Sequence, residues 1–83
     1  DLAQSGDVDL QMEELIISPE SELAGKTLAS SHLRQRFDLI IIAVRKPSGE
    51  MHFNPGPHEP IEAGDMLLAV GKTSNLKKVE EIL

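Results

Sequence analysis

The chain has 83 residues, enough for one small domain. It has no cysteine, which excludes disulfides and thiolate metal sites. Its net charge of −6 argues against nucleic acid as a partner, because non-specific binding needs Lys and Arg to displace counterions.

A domain of this size buries only about 60–65% of its unfolded surface, so support from a partner or neighbouring domain is expected. With two Phe, no Trp and no Tyr, the core must be Ile, Leu and Val. Residues Asp1–Asp9 are polar and read as a linker or tail. This acidic start carries no secretory signal, and its first residue is Asp, so a piece excised from a longer protein is expected.

Leu10–Ile17 begins with Leu10 and Met12 in alternation and then shifts phase, which predicts a strand with a bulge. Pro19 stops it. Ala29, Leu33 and Phe37 recur every four residues, and Thr27 is suited to capping the first turn. The spacing predicts a helix over Thr27–Arg36, with Arg34 and Arg36 where cations suit the helix dipole. Leu39–Val44 is apolar throughout and predicts a central strand covered on both sides; it is also the longest apolar run, far below the roughly 20 residues that span a bilayer.

Arg45–Glu50 holds Pro47 and Gly49 and reads as a turn. Met51, Phe53 and Pro55 alternate with His52 and Asn54, a short strand with one dry face. Pro55–Pro60 is a stiff irregular loop. Glu62–Asp65 predicts a turn, Met66–Val70 a buried strand ended by Gly71, and Thr73–Leu83 a helix with Leu76, Val79 and Leu83 on one face. The order β-α-β-β-β-α predicts an α+β fold, a small, mainly antiparallel sheet with two helices.

Residues 10–83 resemble the TrkA-C (RCK-C) domain. The likeness is carried by "LAGKTL" (Leu23–Leu28), "LRQRF" (Leu33–Phe37), "IIAVRK" (Ile41–Lys46) and "AGDMLLAVG" (Ala63–Gly71), in that order and spacing. The resemblance implies a cytosolic, dimerising regulatory domain of a potassium channel or potassium-uptake system, on the cytoplasmic side of the membrane. It also implies a preceding Rossmann-type RCK-N domain; no GxGxxG occurs here, so any nucleotide-binding half lies outside the chain. In this family some members bind cyclic di-AMP in the dimer cleft and others sense divalent cations. Related domains occur in cation/proton antiporters and anion permeases, and a purely structural dimerisation role is the alternative.

Chemistry-bearing residues are few. Asp65 after Gly64 reads as a turn acid. His32, His52 and His58 lack the helical pair spacing of a zinc site, and the fourteen acids form no calcium-loop pattern, so no metal is expected. No nucleophile motif or paired acids near a histidine point to an enzyme.

The one constellation with ligand chemistry is a hairpin. Arg45 offers a donor fork suited to phosphate and Asn54 another donor, and the hairpin is expected to bring both to one region. Ile40, Ile41 and Ile42 offer apolar surface for a base. In cyclic di-AMP-binding relatives such a strand, the arginine after it and polar residues downstream form the site; Arg45 matches by position in the strand-end motif, and Asn54 and His58 match approximately across a loop of variable length. The bland alternative is a solvated hairpin end with Arg45 paired to Glu50.

Overall fold

In the computed structural model, which describes residues 9–83, four strands form one antiparallel sheet in the order β1-β4-β2-β3. They are β1 (Leu10–Ile16), β2 (Ile40–Arg45), β3 (Met51–Phe53) and β4 (Met66–Lys72). Two short helices, α1 (Leu28–Ser31) and α2 (Leu33–Phe37), join β1 to β2; α3 (Thr73–Val79) and a 3₁₀ turn (Glu80–Ile82) follow β4. The α+β class and the element order are those expected. The tail expected at Asp1–Asp9 lies outside the described residues except for Asp9, whose carboxylate accepts from Thr73 Oγ1 at 3.0 Å.

Directly opposed residues share a face of a sheet, so the register assigns each side chain. Leu15, Leu67 and Val44 stand in one cross-strand row and Ala69 with Ile41 in the next. This face packs with Leu76 and Val79 of α3, and with Leu23, Leu33 and Ile61, into one aliphatic core. Gly71 fits here because the chain entering β2 passes close beside it: a Cβ on it would collide with Leu39 Cδ2. β4 runs through Gly71 to Lys72 rather than ending at the glycine.

Three local expectations are corrected. β1 pairs with β4 without a bulge; the irregularity lies in β2, where Ile41–Ala43 faces only Ala69–Leu68. The extra residue is Ile42. The expected helix over Thr27–Arg36 is broken at His32, whose backbone is left-handed (φ 55°). The break is supported from inside: Ser31 is fully buried, its hydroxyl donates to the Leu28 carbonyl at 2.7 Å and accepts from the Leu33 amide at 3.3 Å. Thr27 does cap α1, in a reciprocal box with Ser30.

The third correction concerns the sheet's second face. β2 is central, as expected, yet it is not covered on both sides. Ile40 is 66% exposed and Phe53, on the supposedly dry face of β3, is 76% exposed. The register puts Met12, Ile16, Ile40, Met51 and Phe53 all on this face, around Leu68 and Val70. The five are the large exposed apolar side chains among the described residues.

Candidate ligand-binding groove

The broken helix, the start of β2 and the proline loop enclose a groove of about 560 Å³. Leu28, Leu33, Leu39, Ile40 and Ile41 make its apolar lining; Pro55, Gly56 and Pro57 form the opposite wall. Arg34 and Gln35 of α2 are at its polar side. The wall is tied down by its carbonyls. Pro57 O accepts from the Ala29 amide and Glu59 O from the Leu28 amide, each at 2.9 Å. These are first-turn amides of α1, which have no partner within the helix.

The sequence-derived candidates fall into two groups. Ile40 and Ile41 line the groove, Ile42 sits beside them in the bulge, and Asn54 donates its backbone N–H to the Ile42 carbonyl at 2.7 Å. Asn54 has φ 50°, a left-handed position that Asn tolerates, and it ends β3. Arg45 is elsewhere. It pairs with Met51 at the turn end of the hairpin, while Asn54 follows Phe53 at the other end. Arg45 and the Asn54 level differ by three positions on β2, roughly 10 Å at strand rise. The hairpin therefore does not bring Arg45 and Asn54 to one point. His58 is exposed in the loop and outside the groove lining.

Arg45 is also not neutralised as the bland alternative required. Among the described residues no carboxylate is within ion-pair distance of it, and Glu50 turns to His52 instead. By register Arg45 shares the open face with Ile40 and Met51. Arg34 likewise has no ion-pair partner among the described residues. Arg36 does: it holds Glu22 at 2.9 Å and lies over the Phe37 ring at 5.0 Å. The Arg36 bond is the main cause lowering the Glu22 pKa. Arg34 and the proline wall are what sequence reasoning missed. No spacing within "LRQRF" signals the difference, because the Arg36–Glu22 pair joins residues fourteen apart.

Lys46 is occupied. Its ammonium is 2.7 Å from both Asp65 Oδ2 and Glu62 Oε1. Burial pulls the Lys46 pKa down, but hydrogen bonds to Asp65 and Glu62 outweigh it and leave the pKa raised. Asp65 is fully buried, and its Oδ2 also accepts from the Glu62 amide at 2.8 Å, closing the turn that Gly64 (φ 88°) allows. Asp65 is thus a turn acid with a buried cation. Among the described residues, no three His, Asp or Glu side chains are placed to hold a metal ion, and no helix is long and apolar enough to cross a membrane.

The fold and this layout meet a known family. Residues 12–83 match the model of the TrkA-C domain, and the chain belongs to that family. It is 34% identical over 71 residues to the K(+)/H(+) antiporter subunit KhtT of Bacillus subtilis, covering 86% of this chain and 43% of that protein. It is 31% identical over 75 residues to "Probable potassium channel protein 2" of Methanocaldococcus jannaschii, covering 90% and 22%. The chain thus spans less than half the length of either relative.

Among solved structures it is similar to the RCK_C domain dimer of S. agalactiae BusR in complex with c-di-AMP. That likeness has a TM-score of 0.80 at 27% identity, over 89% of this chain and 90% of that one. It is equally similar to the RCK C domain of the potassium transport protein KtrA in complex with cyclic diadenosine monophosphate. Here the TM-score is 0.80 at 26% identity, over 99% and 88%.

Proposed function

We propose that this chain is a non-catalytic, dimerising regulatory domain of a potassium transport system, acting on the cytoplasmic side, with cyclic di-AMP as its ligand. The observation that carries the reading is the apolar open face, with Arg45, unpaired among the described residues, at one end and the groove at the other. An isolated 83-residue chain gains nothing from exposed Phe53, Ile40 and Met12. A second copy related by a two-fold axis would cover the same patch on both.

The ligand's chemistry fits the same surface. Ile40, Ile41 and Ile42 offer apolar contact for a base, and Arg45 offers a guanidinium fork for a phosphate. The separation of Arg45 from Asn54 demands a ligand that is extended or that lies across two protomers. A cyclic dinucleotide in a dimer cleft satisfies both conditions. The relatives that bind cyclic di-AMP, and those named for potassium channels and K(+)/H(+) antiport, support the reading. Ligand binding then favours one arrangement of the two protomers, and an attached transporter responds to it. A Rossmann-type neighbour belongs to the longer protein under this reading.

The test is an NMR titration of the chain with cyclic di-AMP, with Ca²⁺ as a control. Saturable shifts at Ile40–Arg45 and Asn54–His58, lost in Arg45→Ala while the dimer persists, are expected. A dimer that ignores the ligand would leave the structural dimerisation role instead.

A further inference from the structure

His52 is outside the groove yet is connected to one of its walls. Its partner on β2 is Val44, a core residue, so the ring points to the helix-covered side of the sheet. Two carboxylates close on it. Glu59 Oε2 is 2.7 Å from Nδ1, and Glu50 Oε2 is 3.1 Å from Nε2. A neutral imidazole has one N–H and can donate to only one of them; the cation donates to both. The geometry is that of a loaded proton.

The two acids come from different places. Glu50 leads into β3. Glu59 belongs to the Pro55–Pro60 loop, and its side chain is only 12% exposed. If the ring loses its proton, Glu59 is left as a nearly buried charge without a cation, an arrangement that is costly unless the group reaches water. The same loop supplies the groove wall at Pro55–Pro57. Among the described residues Glu50 and Glu59 are the charged groups paired with the ring; β2 presents Val44, and α1, which the loop caps, carries no titratable side chain.

We propose that His52 is a proton-operated latch. Protonated, it clasps Glu50 and Glu59 and holds the Pro55–Pro60 loop as the groove wall. Deprotonated, it keeps one N–H for two carboxylates and no charge, so the nearly buried Glu59 loses its cation and turns to water, the wall loosens, and ligand occupancy falls. The bonds to Glu59 first, then Glu50, raise the His52 pKa against the opposing effect of burial. The switch therefore sits above the ordinary histidine value of about 6.5. Its effect on ligand affinity rests on the cyclic di-AMP reading; the motion of the loop does not.

The experiment records histidine ring and backbone amide NMR signals of the chain from about pH 5.5 to 9, across the histidine range. It then measures cyclic di-AMP affinity at both ends of the loop transition. A His52 midpoint above about 6.5 is expected, with the Gly56 and Glu59 amides moving at that same midpoint. Glu59→Gln should lower the midpoint and decouple the amides. Affinity should be several-fold tighter at the acid end, with a ceiling of about tenfold per pH unit separating the free and bound midpoints, and flat with pH in His52→Gln.

The latch is overturned if the loop amides stay silent while His52 titrates, or if Glu59→Gln leaves the midpoint unchanged. It is also overturned if the ligand binds with equal affinity at both ends. If cyclic di-AMP binds at neither, the ligand reading falls and the loop amides alone decide the latch. Should His52→Gln fail to fold, Glu59→Gln carries the same test.

Discussion

On one face of the sheet, Leu15, Leu67 and Val44 lie sealed against α3 and its neighbours; on the other, Met12, Ile40 and Phe53 stand in solvent. The two faces share strands and residue types. What differs is cover: both helical segments pack on one side. The comparison teaches that apolar pattern reports which surfaces need burial, not where the covering atoms come from. β2 is apolar on both faces, and the described residues supply only one cover.

The sharpest break of the comparison is Leu67→Ala against Phe53→Ser. Leu67 is fully buried, so truncation should cost about 2–5 kcal/mol in urea denaturation. Phe53→Ser should leave the monomer within about 0.5 kcal/mol of the parent but abolish the proposed dimer in sedimentation. If both variants are equally destabilised as monomers, the open face is not free.

A second break concerns charge. Lys46→Met strands the fully buried Asp65 and should cost roughly 3 kcal/mol. Adding Asp65→Asn should recover part of it. A cost under about 1 kcal/mol would mean the turn is held without the ion pair. Next comes Gly71→Ala, which forces Leu39 aside on the covered face. Overpacking of this kind costs about 1–3 kcal/mol, and Leu39→Val should relieve part of the loss.

The smallest effect is on pH. The His52 pKa is raised in the folded chain, so its contribution to stability is full below the unfolded value of about 6.5. That contribution is lost as pH rises through the folded value. The melting temperature should fall slightly on the alkaline side, and His52→Gln should remove that slope.

Much of this was legible because it is local. Thr27 announces its cap, and Gly64-Asp65 its turn, through residues within a few positions of one another. The break at His32 was not legible, because it depends on a buried Ser31 hydroxyl competing with the helix's own ladder. The Lys46–Asp65 pair joins residues nineteen apart, and no spacing rule links them. Arg45, Ile40 and Asn54 were visible as chemistry. Their separation was not, because it depends on hairpin register: Lys46–Glu50 is consumed by the turn, so Arg45 faces Met51 rather than Asn54.

The odd residue in β2 has a consequence for parity. Strand side chains alternate strictly, so one uncounted residue swaps odd and even for everything after it. Ile42 lets Ile41 and Val44, three apart, share the covered side while Arg45 remains on the other. Deleting Ile42 would restore simple alternation and leave these faces as they are, whereas keeping Ile42 but pairing it regularly would exchange them, pushing a guanidinium toward the oil and a valine toward water. The bulge at Ile42 therefore absorbs the extra count, and that bulge, more than the run's hydrophobicity, decides where Arg45 points.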